Sequence, residues 1–405
     1  MSLKRNGVSV APSVPAANKS EDYLDSSDNL RLKVVNPDSH IDILTPIGLR
    51  DYNQLDNGGQ TILQRVAASL TTQTTSTTLR KYVCADRWWV MTGNNTSMQY
   101  QQVDTIAAPE TNLNSRFYSR LKQITNGAKF AYGQAMLGQN IPKLWGRTVR
   151  FQLKMRYSVL GGASQKIRLG IVQSTSAATV DSIAGGIGSS FISAWGTTGV
   201  DPTLGTNLAY LVPVKTESNG ALNGNAVDCM LTNAWQRFSA TFVIPSGCVN
   251  IVPMVWLDKV CTANDDLLIA EAGLYAGEEI RDWYELPFKK ELQRCALTFQ
   301  KTFPYGTVPA QSAGVSGAAG IVAAAAAYFG GSFDYPDGRM YAVPGTLTTY
   351  NPSAGNSNWR DVTAAADKAV AVTNDGDVSV FIASSASASA ANDVCRIHFT
   401  ADAEI

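Results

Sequence analysis

The sequence predicts a mainly β protein, in which a jelly-roll β-sandwich is followed by a short helix and a small C-terminal β domain, with an extended N-terminal arm in front. Three observations predict this order. Apolar and polar residues alternate with period two in several segments between residues 81 and 285, one segment of helical spacing follows, and alternation returns after Gly306. The predicted boundaries are 1–80 for the arm, 81–285 for the jelly roll and 286–405 for the helix and the C-terminal domain.

The N-terminal arm differs in composition from the rest of the chain. Residues 1–30 are rich in Ser, Asn, Asp and Pro, which is typical of disordered or extended chain. Ile62, Leu63, Val66 and Leu70 recur at helical spacing, so we expect one helix there, followed by a Thr-rich linker. The arm holds too few large apolar residues to fold alone, and we expect it to order on a partner.

The jelly roll is predicted from a series of amphipathic segments. In TVRFQLKMRYSVL, residues 148–160, every second residue from Val149 to Tyr157 is apolar and those between are polar or charged, which specifies a half-buried strand. The alternation recurs in four further segments: QKIRLGIV (165–172), WQRFSATFVIPSG (235–247), NIVPMVWLD (250–258) and DLLIAEAGLY (266–275). Many strands without intervening helices are typical of a β-sandwich or jelly roll.

A single amphipathic helix is predicted in PFKKELQRCALTF, residues 287–299. Pro287 suits the first turn, and Phe288, Leu292, Cys295 and Phe299 follow at steps of four, three and four, on one face. Cys295 therefore belongs to the buried stripe. A structural role for this cysteine is favoured over a catalytic one, because no histidine lies near it in sequence to generate a thiolate.

The C-terminal domain is predicted to be β-like. AVAVTNDGDVSVFIA, residues 369–383, alternates on both sides of a turn sequence and indicates a hairpin. VCRIHFTADAEI, residues 394–405, is predicted as the last strand, with Cys395, Ile397 and Phe399 on one side and His398 on the solvent side.

Composition and charge exclude several functional classes. Lys plus Arg and Asp plus Glu both count 33, and we find no basic run, so nucleic acid is not an expected partner. The six cysteines form no CxxC pair and only two histidines are present, so we expect reduced, mostly buried thiols and no metal site. The sequence shows neither a signal-peptide pattern nor an apolar stretch long enough to cross a membrane, so we expect synthesis in the cytoplasm and no membrane insertion.

The sequence gives little support for an enzyme. HExxH, GxSxG, P-loop and GxGxxG fingerprints are absent, and no cofactor is expected. Paired carboxylates, which glycosidases use, occur as Asp265 with Asp266 and Glu278 with Glu279, but at predicted strand ends and turns, where such pairs are usually solvated. A calcium site near Asp265 and Asp266 is compatible with a jelly roll but lacks EF-hand spacing, and it is left unassigned.

Four segments carry a resemblance to a known family: YVCADRWWVMTG (82–93), WYELPFKKELQRCALTFQKTFPYG (283–306), DGRMYAVPGTLTTYNPSAG (337–355) and FTADAEI (399–405). In this order they resemble bacteriophage tail fibre or virion structural proteins, in which a jelly roll similar to a carbohydrate-binding module is followed by a helix and a small β domain. The sequence departs from the family at Leu297 and Thr298, where an aromatic pair is usual. The resemblance covers residues 82–405.

The resemblance to a carbohydrate-binding module raises the question of sugar binding. Such sites need exposed aromatic faces that stack on pyranose rings, flanked by polar side chains. By residue type the glycan-binding candidates are Trp195, Trp88, Trp89, Tyr100 and Tyr210. Trp195 lies in a Gly- and Ser-rich loop and is the best exposed candidate, whereas one of the adjacent Trp88 and Trp89 must face the core of a strand.

The resemblance implies a non-enzymatic structural component of a bacteriophage virion, in the tail, neck or head surface. The alternative is a receptor- or glycan-binding fibre protein that adheres to the host surface. The expected partners are other virion proteins, a host surface glycan under the alternative, and further copies of the chain, which we expect to form a homotrimer. The N-terminal arm is predicted to attach the chain to the particle.

Overall fold

The computed structural model describes residues 21–25, 31–35, 41–44, 52–68, 71–75, 81–93, 96–106, 109–124, 129–158, 165–175, 191–217, 219–260, 262–324, 329–373, 376–385 and 389–403. The chain divides into two compact units, Met1–Tyr52 and Asn53–Ile405. Some of the predictions concern residues outside these ranges, namely Cys261, His40 and most of residues 1–30.

The smaller unit contains a three-stranded antiparallel sheet. Its strands are β1 (Glu21–Asp25), β2 (Arg31–Val35) and β3 (Ile41–Leu44), and β2 lies between the other two. The register pairs Tyr23 with Lys33 and Val34 with Asp42, as in a simple meander.

The larger unit opens with the strands of a β-sandwich. Their bounds are β4 (Thr71–Thr75), β5 (Lys81–Ala85), β6 (Trp88–Thr92), β7 (Thr96–Asp104), β8 (Phe117–Gln123), β9 (Phe130–Gly133), β10 (Thr148–Ser158), β11 (Gln165–Ser174), β12 (Ile192–Ala194), β13 (Thr203–Leu204), β14 (Leu208–Leu211), β15 (Lys215–Thr216), β16 (Gly220–Asn223), β17 (Ala226–Leu231), β18 (Gln236–Val243), β19 (Asn250–Leu257) and β20 (Asp266–Ala276). Two short 3-10 turns, Gly138–Asn140 and Pro142–Leu144, precede β10.

These strands form two main sheets that pack face to face. The first has the order β15-β18-β10-β20-β8-β7-β4, and the second has the order β16-β17-β11-β19-β9-β6-β5, with β14 also paired to β11. Strands β12 and β13 pair with each other outside the two sheets. The predicted jelly-roll β-sandwich is confirmed, and each of the five amphipathic segments forms a strand of it.

Strand β10 shows why the segments fold in this way. Its apolar row from Val149 to Tyr157 is buried between the two sheets, as the alternation predicts. The polar row on the other face is also partly covered, since Arg150 donates from Nε to the Glu278 carbonyl at 2.6 Å and Gln152 from Nε2 to the Arg281 carbonyl at 2.6 Å. The chain after β20 therefore crosses the outer face of the seven-stranded sheet.

The prediction of a helix in the N-terminal arm is wrong. Residues 61–68 contain no helix, and the segment 53–68 packs in the larger unit as irregular chain with Leu55 and Ile62 fully buried. The buried Asn57 organises it: its Nδ2 donates to the carbonyls of Ile62 and Asp86, both at 2.8 Å, and its Oδ1 accepts from the Ile62 N–H at 2.8 Å. The apolar spacing thus serves loop packing, and the compact unit begins at Asn53 rather than near residue 80.

The predicted helix after the sandwich is α1 (Phe288–Ala296). Cys295 is buried as predicted, and burial raises the pKa of its thiol well above the usual value, so it remains protonated. Phe299 does not belong to the helix but to strand β21, and Phe288 is partly exposed. Glu291 takes the place of an apolar residue on the buried face, where it accepts a hydrogen bond from the Asn57 N–H.

The chain after α1 contains two further sheets. Its strands are β21 (Phe299–Lys301), β22 (Ala319–Val322), β23 (Gly330–Asp334), β24 (Thr346–Tyr350), β25 (Trp359–Asp361), β26 (Ala366–Lys368), β27 (Val370–Thr373), β28 (Ser379–Ser384) and β29 (Val394–Asp402). Strand β29 is the hub, because β21, β22, β24 and β25 all pair with it, while β23, β28 and β27 form a separate sheet that contains the predicted hairpin.

The prediction that His398 on β29 faces solvent is wrong, because its side chain is buried, with 1% exposed. Its ring stacks on Phe303 at 4.0 Å between centroids, its Nε2 lies 2.9 Å from the Gly314 carbonyl and its Nδ1 lies 3.0 Å from Thr302 Oγ1. Burial lowers the pKa of the imidazole. Both faces of the last strand are therefore covered. Among the described residues, no helix is long and apolar enough to cross a membrane.

Candidate functional site

Three of the five predicted glycan-binding aromatics lie in the interior of the sandwich. Trp88, Trp89 and Tyr100 are each at most 1% exposed. The Trp88 ring stacks on Tyr132 at 5.1 Å, and Trp89 packs edge-on against Phe191 at 5.4 Å. None of the three rings presents a face to a ligand, because each of these side chains is almost completely buried.

The segment 191–211 covers the outer face of the eight-stranded sheet. That face carries an apolar patch with Trp89, Met254 and Trp256 at its centre, on which Phe191 and Ile192 are buried. Polar contacts hold the segment: Lys129 Nζ donates to the Thr197 carbonyl at 3.0 Å, and the Gly199 N–H donates to Asp258 Oδ1 at 3.0 Å. Gly196 is required within it, since a Cβ there would lie 2.5 Å from the Val200 carbonyl oxygen.

Trp195, the best exposed candidate by sequence, belongs to this covering segment. It is half-buried, and a Cβ on Gly93 would lie 3.1 Å from its ring, so the indole rests directly on the Gly93 backbone. It packs against the same apolar patch and does not line the pocket described next.

Tyr210, on β14, lines an open pocket of about 540 Å³. The pocket lies where the end of the covering segment meets the turn between β16 and β17 and the side chain of Arg168 on β11; its lining comprises Arg168, Gly199 to Leu204, Leu208 to Tyr210 and Asn223 to Asn225. The Tyr210 ring lies against the buried Trp256 at 5.4 Å between centroids with a tilt of 35°, and its hydroxyl donates to the Pro202 carbonyl at 2.8 Å. The contact with Trp256 and the hydrogen bond to the Pro202 carbonyl together fix the position of the Tyr210 ring.

A buried arginine forms the floor of the pocket. Arg168 Nη1 lies 2.6 Å from Asp201 Oδ1, its Nε lies 3.1 Å from Asp228 Oδ1, and its Nη2 donates to the Asn223 carbonyl at 2.8 Å. The pairing satisfies a charge that would otherwise be costly in the interior.

Polar side chains stand around the rim. Asn223 and Asn225 are exposed; Asn223 donates from Nδ2 to Asp228 Oδ2 at 2.9 Å, and Asn225 Nδ2 lies 3.5 Å from Asp201 Oδ2. Burial raises the pKa of the Asp201 carboxyl, and the neighbouring Arg168 offsets part of that rise. The rim thus offers amide donors and acceptors and a carboxylate beside an aromatic ring.

Sequence reasoning found one residue of this pocket and missed the others. Tyr210 was identified by residue type, whereas Arg168, Asp201, Asn223 and Asn225 come from three segments that only the tertiary structure brings together. The turn sequence NGN at 223–225 is the signal that could have pointed to exposed amides.

The acidic pairs that were considered for catalysis are in different environments. Asp265 and Asp266 are buried rather than solvated: Asp265 Oδ2 accepts from the Thr262 N–H at 2.8 Å, and Asp266 pairs with Arg120 at 2.8 Å. Glu278 and Glu279 are exposed, with Lys215 at 3.8 Å and Arg281 at 3.1 Å respectively.

In the part of the chain that the structure describes, no group of three or more His, Cys, Asp or Glu residues could hold a metal ion.

No family model matches the chain, and no curated protein matches it. Among solved structures, the chain is similar to TmCBM61 in complex with beta-1,4-galactotriose, with 11% identity over 56% of this chain and 99% of that one and a TM-score of 0.28. It is similar to a putative sugar binding protein from Bacteroides thetaiotaomicron, with 8% identity over 56% of this chain and 100% of that one and a TM-score of 0.31. It is also similar to the enzymatically active domain of tailspike protein 4 of bacteriophage CBA120, with 11% identity over 56% of this chain and a TM-score of 0.26, and the match spans only 21% of that chain.

Proposed function

We propose that this chain is a glycan-binding protein and that its sugar site is the open pocket beside Tyr210. The observation that carries the proposal is the combination of one aromatic ring, fixed by Trp256 and the Pro202 carbonyl, with the exposed amides of Asn223 and Asn225 and the carboxylate of Asp201 in a single pocket.

This combination suits the two kinds of surface that a pyranose presents. The C–H groups on a sugar face pack on an aromatic ring, and the hydroxyls around the ring need both donors and acceptors. A side-chain amide supplies two donors and an acceptor, and a carboxylate supplies acceptors alone. The pocket is open to solvent, and its volume of about 540 Å³ accommodates one or two sugar units.

A glycan array followed by calorimetry on the best ligand tests the proposal. Replacing both Asn223 and Asn225 by alanine removes up to two sugar hydrogen bonds worth about 0.5–1.5 kcal/mol each, so the affinity is expected to fall by roughly tenfold. Asn219→Ala is the matched control, because Asn219 is exposed just before β16 and lies outside the pocket. Tyr210→Ala should abolish binding, while Tyr210→Phe, which keeps the ring, should retain most of it. Equal affinities for the double variant and the control would refute the site.

A second candidate role, assembly into a bacteriophage particle, rests on the four motif segments. Three of them, in α1 with β21, in β24 and in β29, lie within one C-terminal domain in which β29 pairs with both other strands. The proposal is that this domain and residues 1–52 of the predicted N-terminal arm serve assembly, with a homotrimer as the unit, while the sandwich binds host glycan without cleaving it. Immunogold labelling of particles, sedimentation of the purified chain and an assay for released oligosaccharide test the three parts separately; unlabelled particles, a monomer or released product would each refute its part.

A further inference from the structure

The positive charge at the glycan pocket is paired within the protein. Of the residues that line it, only Arg168 and Asp201 are charged. The Arg168 side chain is 3% exposed, and each of its three nitrogens faces an oxygen of the protein: Asp201, Asp228 or the Asn223 carbonyl. At most three of the five N–H groups of the guanidinium face these oxygens, but its burial leaves almost none of it accessible to a ligand.

The two lysines nearest the pocket, Lys166 and Lys129, also contact oxygen atoms of the protein. Lys166 Nζ lies between Asp228 at 3.1 Å and Asp258 at 3.2 Å, and Lys129 Nζ donates to the Thr197 carbonyl. Neither lysine lines the pocket. Within the described part of the chain, no cation at the pocket is left to pair with a carboxylate or a sulfate on a sugar.

The group that does face the pocket is acidic. The Asp201 side chain is 15% exposed, and it shares its charge with a single arginine that Asp228 also contacts. An anionic sugar would bring a second negative charge to this partly desolvated carboxylate without a compensating cation, and unpaired charges in such a position are strongly unfavourable. A hydroxyl, in contrast, donates to the carboxylate and forms a charge-assisted hydrogen bond.

We propose that the pocket selects uncharged pyranose units and rejects uronic, sialic and sulfated ones, with Asp201 as the residue that sets this preference. The inference rests on the proposed glycan-binding function and adds the chemical class of its ligand. Binding of this kind depends on hydroxyl contacts and ring packing, so its affinity changes little with ionic strength.

The test compares one polysaccharide in two forms. An acidic bacterial capsular polysaccharide and its carboxyl-reduced derivative keep the same linkages, but the uronic acids of the first are neutral hexoses in the second. For the wild-type full-length protein, the reduced form should bind at least tenfold more tightly, with a dissociation constant that changes less than twofold between 50 mM and 500 mM salt.

Asp201→Asn then tests the residue. The substitution keeps the shape, removes the negative charge and leaves Arg168 less neutralised, so the ratio of neutral to acidic affinity should fall at least tenfold. Asp104→Asn is the matched control, because Asp104 is an exposed aspartate on β7, paired with Arg116 and far from the pocket in the fold. Its ratio should equal that of the wild type.

The outcomes separate the inference from the function on which it rests. Tighter, salt-sensitive binding of the acidic form would overturn the charge preference and leave glycan binding intact. An unchanged affinity ratio in Asp201→Asn, with a folded variant by circular dichroism, would remove Asp201 from the preference. Failure of both polysaccharides and of a broad glycan array to bind would overturn the proposed function and the inference with it.

Discussion

Asn57→Ala should be among the most destabilising single substitutions in the larger unit. The side chain is 0% exposed and makes three hydrogen bonds, all at 2.8 Å, with the N–H and carbonyl of Ile62 and the carbonyl of Asp86. Alanine would leave these three buried backbone groups without this partner, at about 1–2 kcal/mol each. Asn57 also has φ at 53°, a left-handed conformation that asparagine tolerates better than alanine, which adds about 1 kcal/mol. The expected loss in free energy of unfolding is therefore about 4–7 kcal/mol.

Asn112→Ala separates the two contributions. Asn112 has φ at 65° but is exposed, so this variant retains the backbone strain without the buried hydrogen bonds, and it should cost only about 1 kcal/mol. Urea denaturation of the full-length protein, followed by tryptophan fluorescence, measures both variants. If Asn57→Ala lowers the free energy of unfolding no more than Asn112→Ala does, the buried hydrogen bonds of Asn57 do not stabilise the larger unit.

Two further predictions concern the chain ends. Deleting residues 1–52 should leave a cooperatively folding protein, whereas deleting residues 1–80 should lower its melting temperature markedly, because the longer deletion removes the buried Leu55, Asn57 and Ile62 and the edge strand β4; equal melting curves would contradict this. His398 should make the protein acid-sensitive. Its pKa is lowered in the folded state, so the unfolded chain binds more protons, and its contribution to stability is complete above the unfolded pKa of about 6.5 and is lost as pH falls toward the folded value. Between pH 7 and pH 5, His398→Gln should lose less stability than the wild type in urea titrations, and parallel losses would refute the assignment.

Local sequence patterns predicted the long strands β10, β11, β18, β19 and β20 of the sandwich and the helix that follows it. Period-two alternation is local, and it identified β10, β11, β18, β19 and β20, the hairpin of β27 and β28, and the last strand β29. Helical spacing, together with Pro287, located α1 and the buried Cys295 within a few residues. These predictions succeeded because a strand or helix that buries one face must carry its apolar residues at the period of that element.

The same reasoning was wrong where burial does not follow an element's period. Ile62 and Val66 have helical spacing but lie in an irregular segment. The side chain of Asn57 supplies hydrogen bonds to the backbone of Ile62 that a helix would otherwise supply. His398 lies on the face of its strand that carries the polar residues, and it is nevertheless buried. Phe303 and Gly314, which are distant in sequence, cover that face.

The candidate site was decided almost entirely by the tertiary structure. Residue type alone identified Tyr210, but it also identified Trp88, Trp89 and Tyr100, which the packing of two sheets and the covering segment 191–211 removes from solvent. Asp201 and Asn225 reach the pocket from separate turns on either side of Arg168, and no local pattern links turns that pair only through long-range contacts. Local periodicity records which face of an element is buried, whereas a binding site depends on which elements meet, and that is fixed only when the sheets assemble.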